Sequence, residues 1–193
     1  MRFLIRLNNP SRYSPVDRER LSRTGYEVVR NLEADVGNLR VSSFAVELDL
    51  LLADEKNLQS AISALENSIG RLLTLRKLDV QPDPLGTAEA VRLGVDLFNE
   101  ERYWESHEAL ESAWRTAIDV EKEILHALIL IAASLVHLQK NDPQVTLSIM
   151  KRASLLLFDE QGSYEGIDLD QLIATINQMV TRNTPAFFKI VVA

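Results

Sequence analysis

Cysteine is absent from this chain of 193 residues. That excludes disulfides, thiolate zinc sites and cysteine nucleophiles, and it fits a reducing compartment. Long hydrophobic runs are lacking too. Met1 to Leu7 is apolar and basic, but Asn8, Asn9 and Pro10 end it too early for the core of a secretory signal. The longest apolar stretch, Ile124 to Leu138, is too short to span a bilayer and carries two histidines. A buried helix is the better reading of it, and the expected location is cytoplasmic, with no membrane partner. The sequence also has no glycine-rich phosphate loop and no nucleophile elbow. No cofactor is expected.

What is present is the composition of an ordered globular protein: 46% hydrophobic and 25% charged residues. The net charge is −7, and it is unevenly spread. Residues 1–80 carry about 12 basic and 11 acidic side chains, the remainder about 9 and 17. The acidic half is a poor nucleic-acid surface. The first thirty residues are locally basic, with Arg2, Arg6, Arg12, Arg18, Arg20 and Arg23 among them. A solvated charged face explains them; an anionic partner is the sharper alternative.

Gln81-Pro82-Asp83-Pro84-Leu85-Gly86 is the clearest punctuation, because two prolines and a glycine cannot sit inside a helix or central strand. It divides the chain into residues 1–80, a linker at 81–86, a helical part at 87–183 and an apolar tail at 184–193. Before the linker, Phe3, Ile5 and Leu7 alternate as in a strand. Ser14-Pro15 opens a helix with Leu21, Val28, Val29 and Leu32 on its apolar stripe and Gly25 as a weak point. Leu39 to Leu52 reads as strand, but its apolar positions change parity, which demands a bulge or tight turn near Ser42-Ser43 or burial on both faces after Asp49. Asp54 caps a second helix that Gly70 stops. Leu72 to Leu78 is a last strand. The order predicts an α+β fold that begins with a ferredoxin-like layer.

After the linker every segment has helical periodicity. Thr87 caps a helix to about Glu101, and others span Tyr103 to Ile118, Val120 to Lys140, Pro143 to Phe158 and Asp168 to Arg182. The third is apolar nearly all round and should be central in the bundle. The tail Phe187-Phe188-Lys189-Ile190-Val191-Val192 is too apolar to be free, and is expected to pack on a neighbour or a partner.

The second of these helices carries the densest chemistry. At about 100° per residue, Tyr103, Leu110, Ala113 and Trp114 form an apolar arc, with His107, Glu108, Glu111 and Arg115 on the adjoining one. Trp104 pairs with Glu108 at i, i+4, as do His107 with Glu111 and Glu111 with Arg115. Tyr103, Trp104 and Trp114 read as core anchors, or as an aromatic wall for a flat ligand. Arg115 with a glutamate reads as a structural ion pair, or as a clamp for carboxylate or phosphate. His107 and Glu111 have the spacing of two metal ligands but lack the second histidine of the zinc-protease motif. A third ligand would have to be His126 or another acid, and a buried hydrogen-bonded network is the better reading. His126 and His137 lie roughly 16 Å apart along one helix, so one metal cannot use both. Ser106 and His107 diverge by about 100° and form no dyad.

Phe98, Asn99, Tyr103, Glu105, His107, Glu108, Leu110, Glu111, Trp114 and Arg115 together resemble the signature of domain of unknown function family 309. The apolar helix Leu125 to His137 resembles that family's second block, although His126-Ala127 stands where Gln-Gly is usual and Asp142 where glycine would mark a helix end. The resemblance spans about Leu93 to Leu157. It implies a small helical bundle and no activity.

Two functions fit. In one the chain is a small binding or interaction module, associating with itself or a protein partner. In the other it is an enzyme, with Glu108 or Glu111 as general base, His107 as acid/base and Arg115 holding an anion; Tyr103, Trp104, Trp114 and His126 would line its ligand site. The missing phosphate, nucleotide and metal motifs favour the module.

Overall fold

The computed structural model describes residues 1–78 and 85–192, which fall into two compact units. Of the linker expected at 81–86, only Leu85 and Gly86 lie among the described residues.

The first unit runs β1 (Arg2–Asn8), α1 (Arg18–Val29), β2 (Ala34–Val41), β3 (Ala45–Leu52), α2 (Leu58–Ser68) and β4 (Leu72–Lys77). The sheet order is β2-β3-β1-β4, and each neighbouring pair is antiparallel. It follows that α1 joins two parallel strands with β3 between them, and α2 joins two with β1 between them. Cross-strand pairs such as Phe3 with Leu50, Ile5 with Leu48 and Leu7 with Val46 share one face. With Leu21, Val29, Ala61, Ile62 and Leu65 of the helices they form one buried cluster. Each of the valine, leucine, isoleucine and phenylalanine side chains contributes about 1.5–3 kcal/mol by leaving water.

The strand pair β2–β3 carries both a bulge and a tight turn. The register slips between Gly37 and Arg40, where Asn38 adopts a left-handed φ of 47°, so Val36 and Leu39 both reach the core. The tight turn follows at 42–44, closed by the Ser42 amide donating to the Ala45 carbonyl at 2.9 Å. Ser14 does open the first helical segment, a 3-10 turn at Pro15–Asp17 that leads into α1. There the Ser14 amide donates to the Asp17 carboxylate at 2.9 Å.

Two glycines have packing reasons. A Cβ on Gly25 would stand 3.3 Å from Val36 and 3.7 Å from Leu65, so α1 lies close on the sheet and on α2. Gly70 does not act as a left-handed helix stop. Its Cβ position is filled by the backbone oxygen of Asn8, and that close approach excludes any side chain.

The second unit contains α3 (Thr87–Asn99), α4 (Tyr103–Trp114), α5 (Asp119–Gln139), α6 (Pro143–Leu156), a short hairpin of β5 (Ser163–Tyr164) and β6 (Ile167–Asp168), and α7 (Leu169–Arg182). Gly86 rather than Thr87 occupies the cap position of α3, and its carbonyl accepts from the Ala90 amide at 2.9 Å. α4 stops at Trp114, short of Ile118, and Asp119, at a left-handed φ of 50°, begins α5. Asp142 caps α6 through the Val145 amide and Asp168 caps α7 through the Gln171 amide. Leu125, Leu128, Ile131 and Leu135 of α5 are buried in one cluster with residues of α3, α4, α6 and α7, as its all-round apolarity requires. No described helix is long and apolar enough to cross a membrane.

α3 and α4 cross at a point fixed by three residues. Gly94 has no room for a Cβ, which would stand 2.7 Å from Leu110. Ser106, fully buried, donates its hydroxyl to the Gly94 carbonyl at 2.7 Å.

The tail packs on its own unit. Phe187 stacks on Tyr103 and Phe188 meets Phe98 edge-on. Ile190 is buried, and Val192 bridges to Ile167.

Candidate functional site

The i, i+4 spacing on α4 sets the layout of the nominated residues. His107, Glu111 and Arg115 follow one another along one stripe. Arg115 donates to Glu111 at 3.2 Å, and the His107 Nε2 lies 3.9 Å from the other Glu111 oxygen. Trp104 lies flat against His107, with ring centroids 5.9 Å apart and planes 7° apart. Glu108 sits half-buried on the same helix. The stripe is open: Glu111 is 38% and Arg115 66% exposed at the side chain.

The other nominees go elsewhere. Tyr103 is fully buried, edge-on to Phe98 at 4.9 Å. Burial first, and the charge of Glu101 second, push its hydroxyl well above the ordinary phenol range. Trp114 is half-buried rather than a full core anchor. The Lys122 ammonium lies 4.8 Å from its ring centre, in reach of a cation–π contact. The His126 ring packs 6.0 Å from Trp114, about two turns along α4 from His107. His107 contacts Trp104 and Glu111, and His126 contacts Trp114. At about 100° per residue Trp114 lies only about 20° round α4 from His107, but seven residues, about 10 Å, further along its axis. Among the described residues no three His, Asp or Glu side chains are grouped as a metal site would need. His137 lies at the end of α5, 3.9 Å from Asp142.

Two shallow depressions occur on the first unit, one lined by Arg18, Ser22, Arg23 and Tyr26 and the other by Tyr26, Arg30 and Leu51. Neither includes a residue of α4. The basic N-terminal run is not gathered into one anion site. Arg2 and Arg6 pair with Asp49 and Glu47 in the sheet, Arg20 with Asp17 and Arg30 with Glu27, while Arg18 donates to the Leu39 carbonyl.

Several roles are not evident from the sequence alone. Arg102 holds Glu105 with two hydrogen bonds at 2.8 and 2.9 Å and reaches Glu100 with a third at 3.1 Å. The bonds to Glu105, more than the nearby charge, hold the guanidinium protonated more firmly than usual. This fixes the turn before α4, and the i, i+3 spacing of Arg102 and Glu105 is its signal. Asn99 uses both ends of its amide on one residue: its Nδ2 donates to the Ile190 carbonyl at 3.0 Å, and its Oδ1 accepts from the Ile190 amide at 2.8 Å. No local spacing announces that contact.

The model of a protein family described as "Domain of unknown function (DUF309)" matches residues 91–148. The matched segment lies within the helical second unit, from α3 into α6, and contains the whole α4 stripe. It covers less than half of the chain. No curated protein matches the sequence.

Proposed function

We propose that this protein is a small binding module whose helical unit meets a protein partner through the open stripe of α4. The observation that supports this reading most is the flat Trp104–His107 stack continued by Glu111 and Arg115. A tryptophan half-buried against the core and an exposed arginine, both held in place, are residue types that dominate binding energy at protein interfaces. Stacking on His107 and pairing with Glu111 order these side chains beforehand and lower the entropy lost on binding. The partner is a second copy or another protein, and neither nucleic acid nor membrane is expected. On the same reading residues 1–80 form a ferredoxin-like domain and 87–183 a separate bundle domain. The lack of cysteine supports a cytoplasmic setting.

The test is a photo-crosslinking residue at Ser112, half-buried beside the stripe, introduced in the cells that make the protein. The reading expects one discrete adduct, lost in Glu111→Ala/Arg115→Glu while thermal stability stays close to that of the parent. Absence of a discrete adduct, or an adduct indifferent to both substitutions, would contradict it. Turnover of a small molecule abolished by Glu111→Gln would favour the enzyme instead.

A further inference from the structure

The residues where α3 ends and α4 begins form a second surface with a built-in occupant. Phe98 and Tyr103 supply adjoining ring faces, and Asn99 stands between them in sequence. Against them lies the segment after α7. The Phe187 ring stacks on Tyr103 at 5.9 Å, the Phe188 ring meets Phe98 at 5.2 Å, and the Ile190 backbone takes both hydrogen bonds of the Asn99 amide. A side-chain amide that both donates to and accepts from one backbone residue recognises extended chain without regard to that residue's side chain. The flanking rings add selection for aromatic groups two and three residues earlier. The segment is tied to the bundle by a short connection, Asn183 to Ala186, in which Asn183 is left-handed at φ 54° and Pro185 bars helix.

We propose that Phe98, Asn99 and Tyr103 form a binding site for an extended peptide of the pattern aromatic-aromatic-x-aliphatic, and that the C-terminal segment of a second copy enters it in exchange for the chain's own. The occupant is specified by the site: residues 187–190 of any copy stack on the same rings and make the same two hydrogen bonds. Exchange alters only the path of residues 183–186, so each site ends with the same occupant it began with, supplied by the other copy. The site uses none of Trp104, His107, Glu111 or Arg115, so it stands or falls apart from the α4 reading.

A labelled peptide of the sequence 184–193 tests this, titrated by fluorescence anisotropy into the chain shortened to residues 1–183. Saturable binding is expected, weakened about tenfold by Asn99→Leu because two hydrogen bonds go. A shortened chain that keeps its helical circular dichroism but does not bind the peptide overturns the proposal. Binding equally tight by a scrambled peptide does the same. If the shortened chain does not fold, the full chain decides. Refolded at high concentration, it should give a dimer that separates slowly on dilution, and Asn99→Leu should give monomer alone. A full chain that stays monomeric after such refolding overturns the proposal.

Discussion

Two regions of this molecule place arginines beside carboxylates, and they do so in opposite surroundings. On the face of the first unit's sheet that points away from α1 and α2, Glu47 and Asp49 of β3 are each 2% exposed and Arg40 of β2 is 3% exposed. Arg40 reaches Glu47 at 3.3 Å and Asp49 at 3.7 Å, Arg6 reaches Glu47 at 3.4 Å, and Asn38 donates to Asp49 at 2.7 Å; Arg2 also pairs with Asp49. On α4, Glu111 and Arg115 make one contact of similar length in the open. Equal distances do not mean equal energies. Taking charges out of water costs several kcal/mol each, so a buried group depends on its partners, whereas an exposed pair gains little because water already serves both. The sheet charges are therefore bound to the fold, whereas the exposed Glu111–Arg115 pair adds little to it.

Substitutions can break this contrast. Glu47→Ala leaves Arg40 and Arg6 short of a carboxylate in a buried place, and we expect a loss of about 3–5 kcal/mol, read from amide exchange of the β-strands. Gly94→Ala probes the packed side of α4. Its methyl would press on Leu110, and the overpacking should cost about 1–3 kcal/mol in chemical denaturation. Arg115→Ala on the open side should cost less than about 1 kcal/mol. Tyr103→Phe should be smaller still. The Tyr103 hydroxyl is buried and has no hydrogen-bond partner among the described residues, so its removal is expected to leave stability unchanged or raise it slightly. A clear loss there would mean that the hydroxyl has a partner in solution.

The contrast also explains what could be read beforehand. The alternation of Phe3, Ile5 and Leu7 gives β1 because a strand shows one parity to its core, and the apolar girth of Ile124 to Leu138 gives the central helix because only burial on all sides tolerates it. The four residues of the α4 stripe are local neighbours, so their spacing suffices. The sheet charges are harder. Glu47 and Asp49 occupy the odd positions of β3, where polar residues usually mean solvent, and their arginines come from β1 and β2. Burial on that second face is a tertiary fact that no single strand reports. The same holds for His126, whose partner Trp114 lies on a different helix. It holds for Asn99, whose partner Ile190 lies ninety-one residues away, and for Gly70, whose reason is the backbone of Asn8.

The central claim, that the α4 cluster serves contact rather than the fold, is tested most directly by Glu111→Gln measured alongside Glu47→Gln. Both tryptophans, Trp104 and Trp114, lie on α4, so tryptophan fluorescence during denaturation follows the helical unit, and far-ultraviolet circular dichroism adds the sheet. The account predicts a tryptophan transition for Glu111→Gln within about 1 kcal/mol of the parent, and a large loss for Glu47→Gln seen by circular dichroism. A Glu111→Gln transition shifted as far as that of Glu47→Gln would contradict it, because the stripe would then be part of what holds the bundle together.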